Sequence, residues 1–252
     1  MILGVIPARF ASTRFPGKPL ADLGGKSMVR RVYEQCLQAS LLSEVLVATD
    51  DARIYEHVLS FGGKAVMTRD THVSGTDRVC EVAGLFPAYS HYINIQGDEP
   101  FIAPGQIDLL CRTLVQGDAP VATLLRVLED PELIANPHVV KAVTDLQGNA
   151  LYFSRLPIPF IRENPDAPAL RRDFPCYQHI GLYGFTAAAL RQIATQPPAP
   201  LERAESLEQL RWLSHGMRIR TALSEDPTYA IDTPEDLARI REQMDSILYR
   251  RP

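Results

Sequence analysis

In the first half of the chain, short unbroken apolar runs alternate with stretches whose apolar residues recur every three or four positions. The runs at 2–6, 45–48, 65–67 and 92–95 are short and nearly continuous. Such runs predict strands covered on both faces, as in a parallel sheet. Between them, Met28, Val29, Val32, Cys36 and Leu37 share one helical face, as do Ile54, Val58 and Leu59, and then Val79, Val82, Ala83 and Phe86. Strand and helix in alternation predict an α/β fold, a mostly parallel sheet with helices on both faces. The second half is less regular. Strands are expected at 121–127, 139–143, 177–185 and 219–223, and helices at 205–213 and 234–248. The stretch 157–175 is rich in Pro, Arg and Asp and reads as a loop or insertion. No repeat and no composition shift marks a linker, so one domain over 1–252 is expected, with an inserted segment around 130–190.

Composition narrows the partners. The chain has 252 residues, 46% hydrophobic and 22% charged, the make-up of a globular protein able to bury a full core. Its formal net charge of −4 gives no reason to expect nucleic acid or an anionic membrane as partner. Phosphate must then be met by local clusters of Arg and Lys. The four cysteines form no CxxC pair and are expected to be reduced and mostly buried. The opening apolar run is too short for a signal-peptide core, and no run approaches the ~20 residues of a membrane span. A cytoplasmic location is expected.

In an open parallel sheet, ligands bind beyond the carboxyl ends of the strands. The loop after the first strand carries Arg9, Ser12, Thr13, Arg14, Gly17 and Lys18, the cations and hydroxyls that a triphosphate needs around its oxygens. It also suits a solvated basic surface loop. No GxGxxG is present, and Gly25-Lys26-Ser27 fails as a Walker A tail because Leu20 stands where the first glycine belongs.

Two carboxylates suit a hard cation. Asp98 follows the fourth strand beside Gly97, a place that also fits a plain turn. Asp232 precedes Thr233-Pro234-Glu235-Asp236, where Thr233 reads as N-cap and Pro234 as the first helical residue. That leaves Asp232 without a capping duty. Magnesium is usually held by one or two carboxylates plus substrate phosphates, so Asp98 and Asp232 suffice if they meet.

Together these segments resemble the Kdo (3-deoxy-manno-octulosonate) cytidylyltransferase family, also called CMP-Kdo synthetases. Ile6-Pro7-Ala8-Arg9 through Ser12, Arg14, Pro16 and Lys18-Pro19-Leu20 resembles its nucleotide-binding signature. His72-Val73-Ser74-Gly75-Thr76-Asp77-Arg78 is similar to its second motif, and Asn94-Ile95-Gln96-Gly97-Asp98-Glu99-Pro100 to its metal-site motif. Tyr152-Phe153-Ser154-Arg155, His179-Ile180-Gly181-Leu182-Tyr183-Gly184 and the segment from Leu201-Glu202 to Arg211 resemble its sugar-side segments, and Ile231 to Leu237 its closing motif. The resemblance runs from about residue 2 to residue 241; only the 164–174 stretch matches no pattern.

The resemblance implies a Rossmann-like, GT-A-like nucleotidyltransferase sheet with a small inserted β region, usually a homodimer. It implies CTP and Kdo as substrates, CMP-Kdo and pyrophosphate as products, and a place in lipopolysaccharide synthesis. Lys18, Asp98 and Asp232 are then the catalytic group, with Asp98 and Asp232 holding Mg²⁺. Pro7, Ala8, Arg9, Ser12, Arg14, Lys18, Ser74, Arg78 and Gln96 bind the nucleotide. Gln96, Arg155, His179, Tyr183, Glu205 and Gln209 bind the sugar. Several also carry plainer readings. Arg78 suits an ion pair with Glu81, Glu205 and Gln209 a solvated helical pair, His179 and Tyr183 satisfied core groups, and Arg155 a loop anchor. Activation of another acidic sugar (a sialic acid or an amino variant of Kdo), a metal-dependent glycosyltransferase and a silent nucleotide-binding regulator are the competing functions.

Overall fold

A computed structural model describes residues 1–11, 15–162 and 174–249. Ser12, Arg14 and most of the 164–174 stretch lie outside them. The chain divides into two compact units: Met1–Cys111 with Asp226–Pro252, and Arg112–Glu225.

The first unit is built on four parallel strands. β1 (Ile2–Ala8) pairs with both β2 (Glu44–Thr49) and β4 (His91–Asn94), and β2 pairs with β3 (Ala65–Met67). Every residue from Ile2 to Ile6 is buried. Because successive strand residues face opposite sides, the sheet is covered on both faces here, as the unbroken apolar run requires. The crossovers are α1 (Met28–Cys36), α2 (Ala52–Ser60) and α3 (Gly75–Leu85). Each starts on a side-chain cap: Ser27 accepts from Arg30 N, Asp51 from Arg53 N, and Ser74 from Asp77 N. Ser74 and Asp77 close a reciprocal capping box. That box starts α3 before Val79, so Arg78 lies inside the helix. α4 (Pro104–Gln116) was not expected, although Ile107, Leu110, Cys111 and Leu114 keep helical spacing and are buried.

The second unit centres on β5 (Val121–Leu128), antiparallel to β8 (Cys176–Thr186) and parallel to β9 (Ile219–Leu223). β6 (Lys141–Thr144) pairs antiparallel with β7 (Ala150–Ser154) and with β8. Its helices are α5 (Pro131–Ala135), α6 (Ala187–Ile193), α7 (Pro200–Glu205) and α8 (Gln209–Ser214). The single helix expected at 205–213 is thus two. Ser206 takes a left-handed conformation, φ 52°, which ends α7. The first unit closes with α9 (Pro234–Tyr249). Among the described residues no helix is long and apolar enough to cross a membrane.

Candidate active site

β1 ends at the basic loop, and the chain returns to it twice. Ile95 N donates to Val5 O at 2.8 Å, which carries the 95–99 segment alongside β1. A side chain at Gly97 would meet the Pro7 carbonyl at 2.9 Å, so only glycine allows this approach. Ile231 N then donates to Asp98 O at 2.9 Å and brings the distant closing segment to the same place. Thr233 Oγ1 accepts from Asp236 N, while Asp236 accepts from the amides of Asp232 and Thr233, each at 3.1 Å. Thr233 and Asp236 serve the helix start, and the Asp232 carboxylate turns to a different partner.

That partner is Lys18. Its ammonium lies 2.9 Å from Asp98 Oδ2, 3.4 Å from Asp232 Oδ1 and 3.0 Å from the Ile231 carbonyl. Residues 80 and 214 positions away in sequence meet on one cation. Gly17, at φ 72°, turns the chain so that Lys18 opens a 3₁₀ turn. The loop is further pinned by Gly17 N donating to Phe10 O and by the Arg53 guanidinium, 3.3 Å from the centre of the Phe10 ring.

The second motif lies in the same unit. Gly75 sits against the Pro7 ring, and Ser74 caps α3. Arg78 is fully buried and does not pair with Glu81. It donates to Asp50 Oδ2 at 2.9 Å and to the Thr68 hydroxyl, while Glu81 holds His72 and the Arg69 amide. Sequence reasoning passed over Asp50 and Thr68. The signal for Asp50 was its place just beyond the carboxyl end of β2.

Of the expected sugar-side residues, Gln96 lies in the first unit, and Arg155, His179, Tyr183, Glu205 and Gln209 lie in the second. His179 lies 5.2 Å, ring to ring, from Tyr183, which meets Trp212 at 4.9 Å. Thr123 Oγ1 faces the Ile180 and Leu182 carbonyls at 3.1 and 2.9 Å, so its one proton goes to a carbonyl. His179 Nε2, 3.1 Å from the same oxygen, is therefore the donor, and Nδ1 is left as an acceptor. Burial pushes the imidazole down to about 3, so the ring stays neutral. Gln209 and Trp212 on α8 are buried, and among the described residues neither Gln209 Nε2 nor Trp212 Nε1 has a hydrogen-bond partner. Glu205 is not paired with Gln209. Its carboxylate accepts from Ser154 Oγ at 2.7 Å and Arg155 N at 2.9 Å. The Arg155 guanidinium donates to the carbonyls of Glu205, Pro137 and Ser206.

A family profile described as cytidylyltransferase matches residues 3–219. A 3-deoxy-manno-octulosonate cytidylyltransferase of Solibacter usitatus is 49% identical over 95% of this chain and 92% of its own length. One of Cytophaga hutchinsonii is 48% identical over 95% and 96%. The chain belongs to the 3-deoxy-manno-octulosonate cytidylyltransferase family. A solved structure of CMP:2-keto-3-deoxy-manno-octonic acid synthetase complexed with CTP is 42% identical, with a TM-score of 0.90 over 97% of this chain and 98% of that one. A putative glucose-1-phosphate thymidylyltransferase from Bacillus anthracis, 14% identical with a TM-score of 0.65, shares the fold.

Membership in this cytidylyltransferase family raises the question of a metal. Among the described residues no group of three or more His, Cys, Asp or Glu gathers as a metal cage. Asp98 and Asp232 are nevertheless two hard oxygen donors drawn to one cation, with side chains 27% and 40% exposed. That donor set fits magnesium completed by a substrate's phosphates and does not fit a closed protein cage.

Beside them Glu99 is buried, and burial, with the Asp98 charge second, pushes its carboxyl up to about 7. A raised folded-state value gives stability that is complete below pH ~4.5 and is lost as pH rises through 7. Glu99→Gln therefore gains about 3 kcal/mol relative to the parent between pH 4.5 and pH 8. Urea unfolding of metal-free protein at both pH values measures this, and equal differences at the two would remove the buried charge from the account.

Proposed function

We propose that this chain transfers CMP from CTP to the anomeric hydroxyl of Kdo and releases pyrophosphate, in the cytoplasm, as a step of lipopolysaccharide biosynthesis. The meeting of Asp98, Asp232 and Lys18 beside the first loop carries this reading, and the activity named for its relatives agrees with it. The sugar oxygen attacks the α-phosphorus, the bond to the β-phosphate oxygen breaks, and the hydroxyl proton is lost to solvent or a phosphate oxygen. Such a transfer needs in-line positioning and charge neutralisation more than covalent help from the protein.

Arg9 and Lys18, with Ser12 and Arg14 of the same loop, hold the triphosphate, and Pro7, Ala8, Ser74 and Gln96 line the nucleotide's place. Arg78, being buried, acts from behind by tying Asp50 and Thr68 to α3. Asp98 and Asp232 hold Mg²⁺, which when bound neutralises phosphate charge and lowers the pKa of a hydroxyl it contacts. On the sugar side, His179 Nδ1 offers an acceptor and Gln209 a donor to a polyhydroxy acid, with Tyr183 beside His179; Gln96 is assigned to the sugar by its motif alone. Arg155 and Glu205 fix the backbone of that wall through their mutual contacts. The apolar side chains left exposed in the second unit, Leu156, Phe160 and Phe174, suit a homodimer face.

Pyrophosphate release measured over CTP, UTP, ATP and GTP, with Kdo and magnesium, is the direct test. Turnover with CTP and Kdo is expected to exceed every other nucleotide by at least tenfold. Turnover with a sialic acid but not with Kdo would overturn the assignment.

A further inference from the structure

We infer that Lys18 and the divalent cation are alternative occupants of one place, so that the free protein keeps the metal out until a nucleotide draws the lysine away. The inference rests on the magnesium reading above. In this structure the Lys18 ammonium already has the surroundings of a bound cation: two carboxylate oxygens and a backbone carbonyl at 2.9, 3.4 and 3.0 Å, with its side chain only 14% exposed.

Two carboxylates gathered this closely repel each other without a counter-charge. Lys18 supplies one, and so keeps Asp98 and Asp232 converged before substrate arrives. A divalent ion held by the same oxygens would stand against the ammonium, and like charges at such separation exclude one another. The conflict is resolved when a triphosphate enters. Its oxygens give the ammonium a new partner, and a lysine, a compact charge on a flexible four-carbon stem, can swing where an arginine fork cannot. The Asp98 and Asp232 oxygens are then released to the metal that the nucleotide carries. Lys18 is thus a positioning residue for the carboxylates in the free protein and a phosphate ligand in the loaded one. Metal and nucleotide enter together.

Mn²⁺ binding by electron paramagnetic resonance, on the full chain without nucleotide, tests this. About 0.3 M KCl screens through-space repulsion and leaves direct competition. Lys18→Met is expected to bind Mn²⁺ at least tenfold more tightly than the parent. Lys18→Arg, which keeps the charge, should stay near the parent value, and adding Asp98→Asn to Lys18→Met should cancel the gain. A Lys18→Met protein that binds Mn²⁺ no more tightly overturns the inference. So does a gain that survives Asp98→Asn, or a Lys18→Arg protein that matches Lys18→Met. Absence of CTP-dependent pyrophosphate release by the parent would instead strike the functional reading, which keeps the two failures apart.

Discussion

Asp98→Ala and Asp232→Ala are each expected to lower kcat by about 10³-fold or more while leaving the protein folded. Each removes one of the two carboxylates that converge on the Lys18 cation, and electrostatic stabilisation of that kind is commonly the largest single contribution to transfer at phosphorus. The fold should survive because both carboxylates are partly exposed and their shared ion pairs with Lys18 add little stability in that setting. Thermal midpoints are expected within about 3 °C of the parent. Steady-state pyrophosphate release with circular dichroism checks both halves. Near-normal turnover in either variant would remove that residue from the reaction.

The second large effect is on stability. Lys141 is fully buried at the start of β6, and among the described residues no carboxylate forms an ion pair with its ammonium. It donates to the carbonyls of Asn136 at 2.9 Å and Val139 at 2.6 Å, and to that of Arg155. Desolvation lowers its pKa, yet three carbonyls hold the charge and bind the 136–139 turn to the end of β7. Lys141→Met removes three charge-assisted bonds at once and should cost about 3 kcal/mol, or a midpoint lower by roughly 6–12 °C. Since Arg155 and Glu205 rest on the same backbone, KM for Kdo should rise more than kcat falls. An unchanged midpoint in calorimetry would show that the cage contributes nothing net.

The sheet of the first unit was legible because its strands are buried on both sides and so read as unbroken apolar runs. Asp232 was legible for a different reason: Thr233, Pro234 and Asp236 account for the helix start, so the carboxylate before them had no local duty. Its meeting with Asp98 was not derivable, since no local pattern encodes a contact across the length of the chain. Arg78 shows the opposite case. Glu81 lies one helical turn away and fits a local pair, but His72 and Asp50 are tertiary partners that redistribute both charges. The break at Ser206 was invisible, because a left-handed serine carries no compositional mark as glycine does. Lys141 was hidden inside a stretch read simply as strand, where a charged side chain says nothing about burial until its three carbonyls are in place. The helix α4 was readable from its spacing and was passed over.

The division of the chain also dictates an order of assembly. The first unit takes its sheet from residues before 112 and its last helix from residues after 225, whereas the second is one uninterrupted stretch. Leu23, Met28 and Phe101 pack with Ile231, Leu237 and Ile240. During synthesis the middle segment can therefore mature as it emerges, while the earlier portion waits with an apolar face uncovered until the final residues leave the ribosome. Asp232, the second of the two carboxylates proposed to hold the cation, arrives with the same late event, so a product terminated before it lacks both a finished interior and the converged pair.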